Sequence, residues 1–220
     1  MSFDRFADRY TEILDKSVAF SGGADYFSTL KARYLAALLP AGAAAKLLDY
    51  GCGVGLVTQQ LARLLPAATL HGFDPSTESL ARIPDDVQRR GRFTAEPAAL
   101  DADYDLIFVA NVLHHVPPSD RPALVDDLAR RLAPGGHLVV IEHNPLNPAT
   151  RYIVATCPLD EDAILLPPRE TERHLARAGL ALARRDYIAF FPRALAALSP
   201  LEPRLGWLPL GAQYAVVARR

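Results

Sequence analysis

Residues 47–55 constrain this chain more than any other segment, because they read Leu-Leu-Asp-Tyr-Gly-Cys-Gly-Val-Gly. A short apolar run ends at Asp49, and a helical pattern begins at Leu56. Between them, glycines occupy alternate positions: Gly51, Gly53 and Gly55. Glycines allow positive φ angles and close approach of a ligand to the backbone, and a helix start presents N–H groups to an anion. The segment therefore predicts a strand, a tight turn and a helix that hold a nucleotide-like cofactor.

The spacing of the glycines separates two kinds of cofactor. A dinucleotide turn requires G-x-G-x-x-G, and Leu56 occupies the position of its third glycine. Asp49 would repel a pyrophosphate by like charge, but it suits a ligand that carries an ammonium group, such as S-adenosylmethionine. At these residues the chain resembles the class I S-adenosylmethionine-dependent methyltransferases, whose first motif is an acidic residue followed by G-x-G-x-G.

The composition is typical of one soluble globular domain. The chain has 220 residues, of which 50% are apolar and 22% are charged. A net charge of −1 provides no field that would recruit nucleic acid or an anionic membrane surface. Two cysteines and the lack of any apolar run near about 18 residues predict neither a disulfide framework nor a membrane span. Without an apolar leader, a cytoplasmic location is expected.

Strand and helix patterns alternate along the chain. The predicted strands cover 46–50, 69–73, 91–95, 105–110, 137–142, 183–190 and 212–218. The predicted helices cover 4–16, 25–39, 56–65, 76–82, 119–132 and 169–178. Such alternation predicts a parallel sheet with right-handed crossovers. Residues 143–168 are rich in proline and lack clear periodicity, which predicts a loop.

The resemblance to the methyltransferases implies a Rossmann-like α/β fold. Its sheet has seven mostly parallel strands with helices on both faces, and the last strand inserts antiparallel beside the sixth. A single methyltransferase domain is then expected over residues 1–220. It consists of an N-terminal helical lid (1–40), a cofactor-binding half (46–142), and a substrate-side loop, helix and C-terminal strand pair (143–220).

Two acidic residues are candidates for binding the adenosyl group. Asp74 ends the second predicted strand, 19 positions after Gly55, and a carboxylate there can accept two hydrogen bonds from a ribose diol. The alternative is that Asp74, just before Pro75, only caps the helix that follows. Glu96 follows the third strand, where the family usually has an Asp-Ala pair that meets the adenine amino group. Here Pro97 lacks the N–H donor, so a solvent-exposed Glu96 is the alternative.

The resemblance also implies contacts from two further segments. The segment that follows the fourth strand, beginning at Asn111, runs beside the cofactor in the family and faces the substrate cavity. Tyr10 resembles a tyrosine that family members place over the cofactor, the alternative being a core aromatic. The full set of implied cofactor residues is Tyr10, Asp49, Gly51, Cys52, Gly53, Gly55, Asp74, Pro75, Glu96, Asn111 and Val112.

Methyl transfer from a sulfonium is an in-line displacement, so the protein mainly aligns the acceptor and excludes water. A hydroxyl acceptor gains from a nearby base, and the candidates are His114, His115 and His143, with packing roles as the alternative. The proline-bearing segment 144–168, which includes an acidic patch at 160–162, is predicted to select the acceptor. No metal site is predicted. The apolar stretch 206–211 is compatible with packing or with a homodimer.

The sequence therefore predicts an S-adenosylmethionine-dependent methyltransferase that acts on oxygen or nitrogen of a small molecule. A protein or nucleic-acid methyltransferase is an alternative, although no basic stripe and no Asn-Pro-Pro-Tyr motif follows the fourth strand. An NAD-dependent oxidoreductase is disfavoured by Leu56. A non-catalytic member of the fold that still binds the cofactor is the last alternative.

Overall fold

The computed structural model describes residues 22–220 together with Glu12, Ile13 and Lys16. Tyr10 and most of the predicted first helix lie outside the described residues. The continuous described chain begins with helix α1, Gly23–Ala36, which is the second helix predicted from the sequence. Among the described helices, none combines the length and the apolar character that crossing a bilayer requires.

Seven strands form one sheet in the order β3-β2-β1-β4-β5-β7-β6. They are β1 (Lys46–Tyr50), β2 (Thr69–Phe73), β3 (Phe93–Thr94), β4 (Tyr104–Ala110), β5 (Leu132–His143), β6 (Ala181–Ile188) and β7 (Gln213–Arg219). Strands β1 to β5 pair in parallel. Strand β7 inserts antiparallel between β5 and β6. This topology confirms the predicted fold class, and the bounds of β1 and β2 are those predicted.

Helices flank the sheet between the strands. After α1 they are α2 (Leu56–Leu64), α3 (Thr77–Leu80), α4 (Asp85–Gln88), α5 (Arg121–Arg130), α6 (Pro148–Thr156), α7 (Pro168–Arg177) and α8 (Glu202–Leu205). Short 3₁₀ turns lie at Pro97–Ala99, Leu113–His115, Pro158–Asp160 and Arg193–Leu201. The sequence did not predict α4, a single turn.

Helix α6 corrects the prediction that residues 143–168 form only a loop. Asn147 caps this helix, since its side chain accepts the Thr150 N–H, and Pro148 occupies the first helical position. Only two of its residues, Thr150 and Val154, are buried. An apolar stripe this short gives little periodicity, which is why start signals rather than the pattern mark the helix.

The central strands are buried on both faces. Leu48, Ile107 and Val140 pack into one core layer, whereas Leu47 and Leu106 pack into the other. The carboxyl ends of β1, β2, β4 and β5 therefore meet at one edge of a rigid sheet. Open α/β sheets bind their ligands at this edge. The predicted site residues in the described chain lie at or just beyond these strand ends, except Glu96, which follows β3.

Candidate active site

The glycine turn leaves a hollow above its backbone. Gly51, Gly53 and Gly55 have φ angles of +83°, +52° and +76°. A Cβ atom at Gly51 would collide with the side chain of Val112, so this position requires glycine. At Gly53 a Cβ atom would enter open space, with no atom of the described residues within 4 Å. A ligand can therefore approach the backbone at Gly53 directly, as the sequence spacing predicts.

Asp74 connects the end of β2 to this turn. Its Oδ2 accepts the Gly53 N–H at 2.8 Å, and its Oδ1 accepts the Ser76 N–H at 2.9 Å. Helix α3 is capped by Ser76, whose Oγ accepts the Ser79 N–H, so the alternative that Asp74 is the helix cap is wrong. A carboxylate has further lone pairs beyond these two bonds, and Asp74 lines the larger cavity of the site.

A buried acid and a partly buried amine line a smaller cavity of about 140 Å³ behind the turn. Asp49 is 4% exposed and accepts a 2.6 Å hydrogen bond from the Thr58 hydroxyl. Burial raises the pKa of Asp49 to about 7. Lys31, on α1, has its pKa lowered to about 8 by burial. One carboxyl and one amine in the same small cavity complement a ligand end that carries an ammonium and a carboxylate.

Asn111 joins three elements at the centre of the site. Its φ is +60°, a left-handed conformation that asparagine tolerates better than most residues. Its Oδ1 accepts hydrogen bonds from Lys31 Nζ at 2.8 Å and from Gln213 Nε2 at 2.9 Å. Its Nδ2 lies 2.8 Å from His143 Nε2. The amide orientation that satisfies both donors makes Asn111 Nδ2 the donor to His143.

Lys31 and Gln213 were not predicted from the sequence. The signal for Lys31 is its position on the face of α1 that buries Ser28, Ala32 and Leu35, where an amine is expected only with a partner. Gln213 is itself buried at the start of β7, a strand in which only Arg219 is exposed, so its amide likewise needs a partner.

Glu142 holds the turn that follows β4. It is fully buried, and its Oε1 accepts the N–H groups of Val112 and Leu113 at 3.0 and 2.7 Å. Its Oε2 lies 2.5 Å from Nδ1 of His114, which is 1% exposed. Burial alone would lower the pKa of His114, but the charges of Glu142 and Asp160 outweigh it and raise that pKa to about 9. His114 and Glu142 therefore form a buried ion pair.

The rings of His115 and His143 pack against the His114 ring in tilted orientations, with centroids 4.1 and 5.0 Å from it. His115 Nδ1 lies 3.2 Å from Asp162 Oδ1. Burial and the charge of His114 lower the pKa of His115. The same two causes lower the pKa of His143 to about 4, so its ring is neutral and its Nε2 can accept the hydrogen bond from Asn111.

The larger cavity, of about 420 Å³, extends from the glycine turn to the histidines. Residues 157–162, from the segment predicted to select the acceptor, supply one of its walls. The predicted residues that line it are Gly51, Gly53, Asp74, Pro75, Asn111, Val112, His114, His115 and His143. Asp49 and Cys52 line the smaller cavity.

Within the described part of the chain, two predicted cofactor residues lie outside both cavity linings. Gly55 is the N-cap of α2. Glu96 is exposed, and its N–H donates to Thr94 Oγ1. A role for Gly55 or Glu96 in cofactor binding stays a prediction, as do the binding roles of the residues that line the cavities.

Known proteins resemble this chain in both sequence and fold. The family described as methyltransferase domain matches residues 24–192. Trans-aconitate 2-methyltransferase of Deinococcus radiodurans is 35% identical over 127 residues, which are 57% of this chain and 48% of that protein. Ubiquinone biosynthesis O-methyltransferase of Xylella fastidiosa is 29% identical over 82% of this chain and 83% of its own length. The chain thus spans about half the length of the first of these relatives.

Solved structures agree on the fold. An S-adenosylmethionine-dependent methyltransferase from Archaeoglobus fulgidus superimposes with a TM-score of 0.72 at 14% identity, covering 97% of this chain and all of that one. Because the family match spans most of the sequence and the sheet order agrees with it, the chain belongs to the class I S-adenosylmethionine-dependent methyltransferases.

Proposed function

We propose that this chain transfers the methyl group of S-adenosylmethionine to an oxygen or nitrogen of a small-molecule acceptor. One observation carries the proposal: a single cavity has the glycine turn and Asp74 at one end and His115 and His143 at the other. Its volume of about 420 Å³ lies in the range of about 300–1,000 Å³ that is typical of small-molecule sites.

The donor end of the cavity suits the cofactor group by group. The hollow at Gly53 admits the ligand to the backbone, and the Asp74 carboxylate can accept hydrogen bonds from a ribose diol. In the adjoining smaller cavity, which shares Gly51 and Asn111 with the larger one, Asp49 and Lys31 provide opposite charges for the ammonium and carboxylate of the methionine end. The bound cofactor supplies a methyl group already activated on a sulfonium. The residues of the chain have to bind, orient and shield it.

The acceptor end is formed by histidines of different accessibility. His114 is fully enclosed and ion-paired with Glu142, so it positions the turn rather than contacting the acceptor. His115 lies in the cavity wall with its ring oriented by Asp162, and the Nε2 of His143 is engaged by Asn111. His115 is therefore the histidine best placed to bind the polar group of the acceptor. The wall at 157–162 limits access of water.

Relatives support both a small-molecule and a protein acceptor. The trans-aconitate and ubiquinone biosynthesis methyltransferases are named for small acceptors. Ribosomal protein L11 methyltransferase of Bordetella parapertussis is 37% identical, but over 58% of this chain and 40% of that protein. The walled cavity favours the small molecule. A cytoplasmic location, a homodimer and the lack of a nucleic-acid partner stay predictions.

An acceptor screen tests the proposal. The purified chain, supplied with S-adenosylmethionine, is incubated separately with hydroxyl- and amine-bearing small molecules, with protein extract and with RNA, and methylated products are identified by mass spectrometry. We expect a methylated small molecule whose formation is lost in Asp74→Asn and retained in Asp86→Asn, a control at an exposed acid outside the cavities. Methylation confined to protein or RNA would contradict the proposal.

A further inference from the structure

Two histidine nitrogens converge on one carboxylate oxygen at the acceptor end. Asp160 Oδ1 lies 3.3 Å from Nε2 of His114 and 3.6 Å from Nε2 of His115. One potential ligand atom from each of the three residues lies within 4.8 Å of the other two. In a tetrahedral zinc site with bonds of about 2.0–2.1 Å, two ligand atoms lie about 3.4 Å apart. Two of the three separations therefore already have the values of a metal site.

Each of these histidines is oriented by a second carboxylate on its other nitrogen. His114 Nδ1 lies 2.5 Å from Glu142, and His115 Nδ1 lies 3.2 Å from Asp162. Histidines that bind a metal usually donate their remaining N–H to a carboxylate or carbonyl, which fixes the ring and its tautomer. The arrangement is thus present twice, and both times it directs Nε2 towards Asp160.

The Nε2 atom of His114 is a further sign that a ligand binds here. It is buried, and among the described residues its one polar contact, with Asp160 Oδ1 at 3.3 Å, lacks the geometry of a good hydrogen bond. The ring as a whole is 1% exposed. A buried polar atom without a partner is rare in a native fold and commonly marks a bound water or ion.

We propose that His114, His115 and Asp160 bind a divalent transition-metal ion of the zinc type, which displaces the Nε2 proton of His114 to solvent while Nδ1–H stays hydrogen-bonded to Glu142. Two imidazoles and one carboxylate suit zinc, iron or manganese, whereas calcium and magnesium favour oxygen-only ligands. Three protein ligands leave a fourth position open, and His115 and Asp160 both line the larger cavity, so this position is reached from there.

The open position defines the class of acceptor. An ion there binds an ionisable oxygen, such as a hydroxyl or enol, and holds it at the acceptor end of the cavity. This use of the ion rests on the proposed function, whereas its binding does not. In the loaded protein His115 contacts the acceptor through the ion.

Calorimetric titration of the metal-depleted full chain with zinc chloride tests the site. We expect one ion per chain and, with cobalt chloride, the visible absorption of a low-symmetry Co²⁺ site. Asp160→Asn removes a direct ligand and should weaken zinc binding by more than about 100-fold. Loss of a carboxylate that only orients a ligand, as Asp162 does, typically lowers metal affinity by about 10–100-fold. Glu161→Gln, the exposed neighbour, is the matched control and should bind normally.

Binding of S-adenosylhomocysteine separates a lost metal site from a misfolded protein. Asp160→Asn should bind it as the wild type does, and Asp162→Asn, with its smaller loss of zinc affinity, is a second variant that leaves all three ligands in place. If the wild type binds S-adenosylhomocysteine but no zinc, or if Asp160→Asn binds zinc normally, the metal site is disproved and the proposed function stands. If zinc binds and S-adenosylhomocysteine does not, the metal site stands and the proposed function fails.

Discussion

The two ends of the larger cavity are built in different ways. The donor end uses the glycine turn and Asp74, which are close in sequence and follow two adjacent strands, β1 and β2. The acceptor end combines His115 with Asp160 and Asp162 from a distant segment, held in place by a buried ion pair between His114 and Glu142. A local backbone motif thus shapes the donor end, whereas long-range charge pairing shapes the acceptor end. Substitutions should therefore affect the two ends separately.

Glu142→Gln should have the largest effect, on stability. The substitution leaves the buried His114 charge without its partner, and breaking a buried ion pair in this way typically costs about 3–5 kcal/mol. Urea unfolding measures the loss, with the exposed Glu161→Gln as the control that should change stability little. A loss similar to that of the control would show that the acceptor end does not depend on this pair.

Asp74→Ala tests the donor end. We expect S-adenosylhomocysteine to bind about 1–3 kcal/mol more weakly, the scale of a lost charge-assisted hydrogen bond. Titration calorimetry gives the value, and Asp86→Ala, at an exposed acid, should bind as the wild type does. Unchanged affinity in Asp74→Ala would contradict the hypothesis that Asp74 binds the ribose hydroxyls.

Gly53→Ala should have two effects: it should lower stability through backbone strain, and it should lower ligand affinity by filling the hollow above Gly53. Its φ of +52° is left-handed, and alanine there should reduce stability by about 1 kcal/mol. The new Cβ also enters the open space where the ligand is expected, so affinity for S-adenosylhomocysteine should fall as well.

Gly42→Ala is the matched control for Gly53→Ala. It has a φ of +74°, and no atom of the described residues lies within 4 Å of its added Cβ. It lies outside both cavity linings. It should cost similar stability and leave affinity unchanged. Equal affinities in the two variants would contradict the hollow as a ligand site.

The pH dependence of binding should be the smallest effect. Asp49, with a pKa raised to about 7, is charged only above that pH, so attraction for the ammonium of S-adenosylhomocysteine grows as pH rises through 7. Lys31, with a pKa lowered to about 8, loses its charge above that pH, so attraction for the carboxylate then declines. Affinity should peak between these values, and Asp49→Asn should remove the rise on the acid side. A flat profile in the wild type would exclude both contacts.

The same contrast explains how much the sequence could predict. The apolar run, the glycines and Asp74 carry their own local signals, so the bounds of β1 and β2, the family and the cofactor were predicted correctly. The pairing of His114 with Glu142 follows from the register of β4 with β5, in which Ala110 lies beside Ile141. That register becomes known only when the sheet is assembled.

The sequence did not show which distant residues pair with one another. Asp160 reaches His115 because helix α6 returns the chain to the sheet edge, and this helix has too short an apolar stripe to be recognised from its periodicity. Lys31 and Gln213 meet at Asn111 from opposite ends of the chain. The spacing of residues along the sequence cannot reveal such a contact, so this end of the site needed the structure.

A crystal structure with S-adenosylhomocysteine tests the central claim, that the donor lies at the glycine turn across two adjoining cavities and that the larger of them holds the acceptor at the histidines. We expect the ribose hydroxyls within hydrogen-bonding distance of Asp74. We also expect the amino-acid end between Asp49 and Lys31, with the space beside His115 left open. A ligand bound elsewhere, or one that fills the histidine end and leaves Asp74 without contact, would contradict it.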